Sequence, residues 1–189
     1  CSGTSSQGSI YFADSGDTNL GRVVYDHNAN DLSLWCNDIQ SFRIDSGGEI
    51  ATGAEAAPDV DAGGICIDTN SASTYALTFK NSDVAHGITT QAETDTHLRI
   101  SRYDANGGGA LVGYTESQIA LFFQGIVTGA DTTKSTSGEA PVMVRGNLKS
   151  GTDGGDMSAN GNLFIVQGGS SKTKFIVDFE GELHSDGGA

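Results

Sequence analysis

The sequence has few basic residues, little proline, few cysteines and no long apolar run. Ten Lys and Arg stand against 24 Asp and Glu, which leaves a formal net charge of −14. Binding to nucleic acid or to an anionic membrane surface depends on clustered cations, so neither is an expected partner. Only 2 of the 189 residues are Pro, which excludes a linker stiffened by proline.

The longest apolar stretch runs from Ile119 to Val127 and is interrupted by Gln124 and Gly125. A membrane-spanning helix needs about 20 apolar residues, so we expect no transmembrane segment. The chain shows no initiator Met and no signal peptide. Residue 1 is therefore expected to be a processed end or the edge of a fragment.

The three cysteines are widely spaced and form no CxxC pair. This spacing predicts neither a disulfide framework nor a zinc knuckle. Cys36 and Cys66 are interpreted as small, semi-buried residues. Cys1 is interpreted as lying at a fragment boundary, with the lipid-bearing first residue of a bacterial lipoprotein as the alternative.

Turn-forming residues are abundant and large aliphatic residues are scarce. Gly, Ser, Thr, Asn and Asp make up 91 of the 189 residues, whereas Leu, Ile, Val and Phe make up 40. Chains with less than about 20% of these four apolar residues and a high net charge are usually disordered. A lone monomer would therefore bury a thin core. Either its layers are shallow or identical chains share their apolar faces.

Apolar residues alternate with a period of two, which is typical of strands. The pattern predicts about a dozen short strands and no helix longer than two turns, and it favours a strand for the ambiguous stretch from Glu116 to Phe123. The predicted fold is all-β, with short antiparallel strands and hairpins in an elongated, fibre-like or β-sandwich or β-prism architecture. The alternation is clearest at residues 10–12, 32–36, 42–44, 65–67, 75–79, 98–100, 142–144, 163–165 and 175–179.

One internal repeat is visible. Phe42 to Ile50 and Phe175 to Leu183 both read Phe-x-aliphatic-Asp-x-x-Gly-Glu-aliphatic, which predicts a strand, a tight turn and a second strand. The small, acidic stretch that contains Pro58 resembles a linker. We therefore predict an N-terminal hairpin unit over residues 1–55, a linker over 56–64 and a β-rich body over 65–189.

No motif of nucleophilic, nucleotide-dependent or zinc catalysis is present, so we predict no catalytic, cofactor-binding or metal site. Three alternatives remain open. Glu93, Asp95 and His97 would share a strand face and could hold a divalent ion. The oxygen-rich loops at residues 14–19 and 153–162 could bind Ca²⁺. A glycosidase pair could form among Asp104, Glu116 and Glu139.

Hairpin tips are the predicted exposed contact positions, because binding residues often lie on loops that a rigid scaffold presents. These positions are Asn28, Asn30, Asp31, Asn106, Gly107 and Gly108.

Three ordered motifs carry a resemblance to a known group of proteins. They are GSIYFAD at residues 8–14, GRVVYDH at 21–27 and FRIDSGG at 42–48. They resemble repeats in tail-fibre and other virion proteins of tailed bacteriophages, where such units often precede a self-cleaving chaperone domain of the endosialidase type. The resemblance covers about residues 8 to 53. It departs from the repeat at its end, where Ile50-Ala51-Thr52-Gly53 replaces the usual Gly-Ile-Gly.

The resemblance implies an elongated β-structured virion component, commonly a homotrimer with chains wound about a shared axis. The leading hypothesis is a non-enzymatic segment of a tail fibre or surface appendage, located in the virion. Its expected partners are copies of itself, with a trimer favoured, other virion proteins, and a glycan or protein of the host surface. The alternatives are a self-assembling extracellular filament or surface-layer subunit, and a tailspike-like polysaccharide depolymerase.

Overall fold

The structure, a computed structural model, describes residues 3–70, 75–169 and 172–185. The described part is all-β and contains no helix, as predicted. Its strands are β1 (Gln7–Phe12), β2 (Gly21–Asp26), β3 (Asp31–Cys36), β4 (Ile39–Ile44), β5 (Ile50–Thr52), β6 (Ile65–Cys66), β7 (Tyr75–Lys80), β8 (Thr96–Asp104), β9 (Gly107–Gly113), β10 (Leu148–Ser150), β11 (Asp153–Gly155), β12 (Asn162–Gly168), β13 (Lys172–Asp178) and β14 (Leu183–Ser185).

The chain divides into two compact units, Cys1–Leu121 and Phe122–Ala189. In the first unit, β1 to β6 form one sheet in chain order, and β7 to β9 form a three-stranded meander. Neighbouring strands are antiparallel except β5 and β6, which are parallel. Short polar turns between consecutive strands explain the meander order, because such turns favour hairpins over crossovers.

The second unit, taken by itself, holds the hairpin β10–β11 and the three-stranded sheet β12–β13–β14. The hairpin was not predicted, because Leu148 is the one large apolar residue of its two strands. Residues 153–162 were predicted to form a loop, but the first three of them form β11, in which Asp153 pairs with Ser150. The turn lies at residues 151–152, one step earlier.

The predicted internal repeat folds as two matching hairpins. Phe42 pairs with Thr52 and Ile44 with Ile50 in β4–β5. In β13–β14, Phe175 pairs with Ser185 and Val177 with Leu183. The two repeats therefore have the same strand register.

Two predicted strands are wrong. Residues 116–123 and 142–144 form no strand, although most of their large apolar residues are β-branched or aromatic: Ile119, Phe122, Phe123, Val142 and Val144. Most of these side chains are exposed, for example Phe122 at 73% and Val144 at 64%. A strand needs a hydrogen-bonding neighbour, and the described residues supply none to either segment.

The segment predicted to be a linker, residues 56–64, connects β5 to β6 inside one sheet. Gly64 O accepts a hydrogen bond from Ile50 N at 2.9 Å, and Gly63 N donates to Gly48 O at 3.2 Å. The division between the two compact units falls elsewhere, between Leu121 and Phe122.

The buried core is thin, as the composition predicts. Among the described residues, the buried apolar side chains are Val24, Ala51 and Tyr114. Val24 and Ala51 lie in the six-stranded sheet and Tyr114 directly follows β9. The other large apolar side chains are at least partly exposed. The sheet face on which each of them lies determines which surfaces of the molecule are apolar.

Candidate functional site

The six-stranded sheet has one apolar face. In an antiparallel sheet, directly opposed residues share a face, and side chains alternate between faces along each strand. The register places Ile10 beside Val23, Val23 beside Leu34, and Leu34 beside Phe42. The apolar face, as the term is used below, consists of Ile10, Phe12, Val23, Tyr25, Leu32, Leu34, Cys36, Ile39, Phe42, Ile44, Ile50 and Ile65.

This apolar face is open to solvent. Ile10 is 62% exposed, Phe12 61% and Ile65 61%, and Leu34 in the middle of the sheet is still 41% exposed. Single exposed apolar residues are ordinary, but contiguous apolar patches on soluble monomers are rarely larger than a few hundred Å². A face of this kind is typical of a surface that a partner covers.

The opposite face of the same sheet is polar and better packed. Ser33 is 3% exposed and Ala51 is 2% exposed on this side. Arg22 stacks on Trp35 at 4.0 Å from the ring centroid and pairs with Asp38 at 3.1 Å. Trp35 Nε1 donates to Ser33 Oγ at 2.9 Å. The burial is therefore on the polar side, the reverse of an ordinary half-buried sheet.

The two smaller sheets repeat this arrangement. In β7–β8–β9 the register aligns Leu77, Ile100 and Leu111, which are 37%, 40% and 41% exposed. In β12–β13–β14 it aligns Phe164, Val177 and Leu183, of which Leu183 is 69% exposed. Each of the three sheets with three or more strands in the described residues thus has an uncovered apolar face.

The residues considered for a divalent ion serve other roles. Lys80 forms ion pairs with Glu93 and, at 3.1 Å, with Asp95. His97 lies in β8 with its ring 6.4 Å from that of Phe79. The two carboxylates therefore share one lysine as their partner and form no candidate metal cluster with the imidazole among the described residues.

A different cluster brings Asp178, Glu182 and His184 together, with candidate ligand atoms within 4.8 Å of one another. Asp178 Oδ2 lies 2.8 Å from His184 Nε2, and Asp178 Oδ1 accepts from Glu182 N at 2.7 Å. Hydrogen bonding to Asp178 raises the pKa of His184, and the same bond lowers the pKa of Asp178. These hydrogen bonds, which belong to an ion pair that closes a turn, already explain why the three side chains lie together. Sequence reasoning missed the cluster, although the spacing Asp-x3-Glu-x-His across a hairpin could have shown it.

The acidic residues considered for calcium or for glycoside hydrolysis mostly cap turns. Asp14 Oδ1 accepts from Gly16 N at 2.7 Å and from Asp17 N at 2.9 Å. Asp104 Oδ1 accepts from Asn106 N at 2.7 Å, and Glu116 accepts from Gly87 N. Asx turns of this kind form without an ion.

The predicted contact positions lie at two hairpin tips. Asn28 and Asn30 are exposed in the turn between β2 and β3, and Asp31 is the half-buried first residue of β3. Asn106 lies in the turn between β8 and β9, with Gly107 and Gly108 at the start of β9. That these tips contact a partner stays a prediction.

The two described cysteines are free thiols. Cys66 is half-buried, as predicted, whereas Cys36 is exposed on the apolar face. Cys1 lies outside the described residues. The described part of the chain contains no helix long and apolar enough to cross a membrane.

The comparisons with known proteins identify no relative. No protein-family model, curated protein sequence or solved structure is detectably similar to this chain.

Proposed function

We propose that this chain is a non-enzymatic structural protein of a phage virion, part of a tail fibre or a related surface appendage. It acts as a homo-oligomer, and a trimer is the favoured form. The apolar face of the six-stranded sheet carries the proposal. Because the described residues of a chain leave this face uncovered, identical chains would provide the cover for one another.

The motifs that resemble virion repeats coincide with that sheet. GSIYFAD contains most of β1, GRVVYDH contains β2, and FRIDSGG contains the end of β4 and the turn after it. Within these motifs, Ile10, Val23 and Phe42 supply apolar side chains to the same face. The residues that suggest a virion protein are thus the residues that build the surface requiring a partner.

The segments that fail to form strands also support the proposal. Phe122 is 73% exposed, and Phe123 is 67% exposed. A lone chain gains little from such residues, whereas strands from neighbouring copies could give them hydrogen-bonding partners and bury their side chains. Intertwined chains of this kind suit a stable particle component.

The first experiment is to measure the native mass by light scattering on a sizing column and to image the same fraction by electron microscopy. Rods with the mass of three chains would support the fibre. Polymers of indefinite length would favour the filament or surface-layer subunit. A compact monomer at micromolar concentration would contradict both.

Two adjacent residues of β1 provide the matched variants. Ile10 lies on the apolar face and Tyr11 on the opposite face, and they are 62% and 53% exposed in the single chain. Ile10→Glu should dissociate the oligomer, because a buried unpaired carboxylate costs several kcal/mol at each copy. Tyr11→Glu should leave the mass unchanged. Equal effects of the two variants would show that this face is not the interface.

A virion role is tested separately. Antibodies against the chain should decorate an appendage of the phage particle that carries this protein, seen by electron microscopy. Labelling confined to cell surfaces would instead favour a surface-layer subunit.

A further inference from the structure

A groove runs along the face of the β7–β8–β9 sheet that is opposite to Leu77, Ile100 and Leu111. Strand register places Tyr75 beside Ser101, and Arg99 between Thr78 and Val112, on this side. The groove consists of two adjoining cavities of about 210 and 310 Å³ that share Tyr75 and Arg99 in their lining. Each cavity is large enough for one sugar-sized ligand.

Arg99 is held in place by two aromatic rings. Its guanidinium lies 4.5 Å from the ring centroid of Tyr75 and 5.6 Å from that of Tyr114. Tyr75 is itself fixed, because its hydroxyl donates to Gln91 O. Such stacking preorganises a guanidinium and leaves its edge N–H groups for a planar anion.

The hydrogen bonds of Arg99 are incomplete. Arg99 Nη1 donates to Gln91 O at 3.4 Å, which is a long bond, and Arg99 Nε is buried without a partner. Within the described residues, neither Arg99 nor Arg102 forms an ion pair with a carboxylate.

The two cavities differ in charge. The smaller one contains Lys80 and Glu93, which form an ion pair, together with the shared Arg99. The larger one is lined on this side of the sheet by Arg99, Tyr75, Ser101, Tyr103, Ala110 and Val112, and also by Arg102, which alternates to the other side of β8, with no acidic residue. The larger cavity is therefore a local cationic site within an anionic protein.

We propose that the larger cavity binds an acidic sugar, with Arg99 engaging its carboxylate, Ser101 its hydroxyl groups, and the exposed ring of Tyr103 its apolar face. A carboxylate forms a bidentate pair with a guanidinium. Tyr103 is 76% exposed at the rim, where an aromatic ring can stack on a sugar without rearrangement. The net charge of −14 disfavours a polyanion such as a nucleic acid, because the field of the whole protein repels it. The inference follows from the cavity alone and does not depend on the proposed function.

The test is a titration of the full chain with methyl β-D-glucuronide, followed by NMR chemical shifts and calorimetry. We expect saturable binding, and binding of the neutral methyl β-D-glucoside should be weaker by at least about tenfold, as for the loss of a charge-assisted pair. Arg99→Gln should weaken glucuronide binding by a similar factor. Arg145→Gln removes the same charge at an exposed position in the other unit and should have no effect.

Tyr103→Ala keeps the test decisive if loss of Arg99 disturbs the packing, because Tyr103 is mostly exposed and its removal should leave the thermal unfolding curve unchanged. We expect this variant to bind the glucuronide several-fold more weakly than the parent. Equal binding by the Tyr103→Ala variant would overturn the proposal, as would no saturation at tens of millimolar. Propionate that binds as tightly as the glucuronide would show a carboxylate site without sugar recognition, which would also overturn it.

Discussion

At the scale of single residues, short carboxylate side chains close the turns of this protein. Asp45 Oδ1 accepts from Gly47 N at 2.9 Å and Glu49 N at 3.0 Å, and Asp178 Oδ1 accepts from Glu182 N at 2.7 Å. These bonds favour the charged form and lower the pKa of Asp45. The pKa of Asp178 is lowered first by its hydrogen bond with His184, and the bond from Glu182 N adds to this. Several of the acidic side chains therefore stabilise turns.

His184 and Asp178 form an ion pair whose contribution depends on pH. The raised pKa of His184 means that its contribution is fully present below the ordinary histidine pKa of about 6.5 and is lost as pH rises through the raised value. The lowered pKa of Asp178 means that its contribution is present above about pH 4 and is lost as pH falls through the lowered value. The pair thus stabilises the β13–β14 hairpin most between about pH 4 and 6.5.

We predict that the His184 ring titrates above its ordinary pKa in an NMR titration, and that Asp178→Asn brings its pKa down, because the neutral amide no longer favours the imidazolium. Asp45→Asn is the matched control, since Ala51 occupies the position that corresponds to His184 in the other hairpin. A His184 pKa that is the same in the parent and in the Asp178→Asn variant would contradict the ion pair.

At the scale of elements, the two hairpins show how a nine-residue pattern specifies one geometry. Gly48 N donates to Asp45 O at 3.0 Å, and Gly181 N donates to Asp178 O at 3.1 Å. Both glycines have φ of 83°, a left-handed conformation that a Cβ disfavours. The two copies of the repeat thus close their turns in the same way, with Asp at the start of the turn and Gly three residues later.

We predict that Gly48→Ala and Gly181→Ala each lower the free energy of unfolding by about 1–2 kcal/mol, from the strain of a left-handed alanine. Gly109→Ala is the control, because a Cβ there meets nothing within 4 Å and its φ is not left-handed. Chemical denaturation of the three variants would measure the difference. A loss of stability in Gly109→Ala as large as in the other two would show that the conformation is not the cause.

The two free thiols offer a test of which face of the six-stranded sheet is covered. Cys36 lies on the apolar face, whereas Cys66 pairs with Ala51 on the opposite side. We predict that maleimide labels Cys36 slowly in the native assembly and quickly in the Ile10→Glu variant, because assembly removes the thiol from solvent. Labelling of Cys66 should change little. Mass spectrometry of the labelled peptides reads both sites, and fast labelling of Cys36 in the assembly would contradict a covered apolar face.

At the scale of the whole molecule, charge and apolar area act against each other. Each chain carries a net charge of −14, so assembly brings like charges together, while the uncovered sheet faces favour association through burial. Salt screens charge repulsion over about 10 Å at 0.1 M and leaves the hydrophobic term largely intact.

We therefore predict that raising NaCl from 20 to 300 mM shifts the equilibrium towards the oligomer, which light scattering at several protein concentrations would measure. Dissociation by salt would show instead that intermolecular ion pairs hold the chains together.

Much of the element-level structure could be predicted from the sequence. Alternation identified the strands at residues 10–12, 32–36, 75–79 and 175–179, because a period of two describes a strand with two different faces. The pattern failed at 142–144, where the same alternation forms no strand. Periodicity describes a side-chain pattern, and only a neighbouring strand decides whether the backbone pairs.

Local residue patterns were sufficient to predict the all-β class, the turns and the repeated hairpin, because Asp, Asn and Gly act through local backbone geometry. Composition also predicted a thin core, since so few large apolar residues cannot fill one. The fold was needed to show that the apolar residues of β1 to β6 gather on one uncovered face, and that Arg99 contacts two tyrosines beside an acid-free cavity. Strand order and register bring these residues together across the sheet, and neither can be predicted from the residues of a single strand.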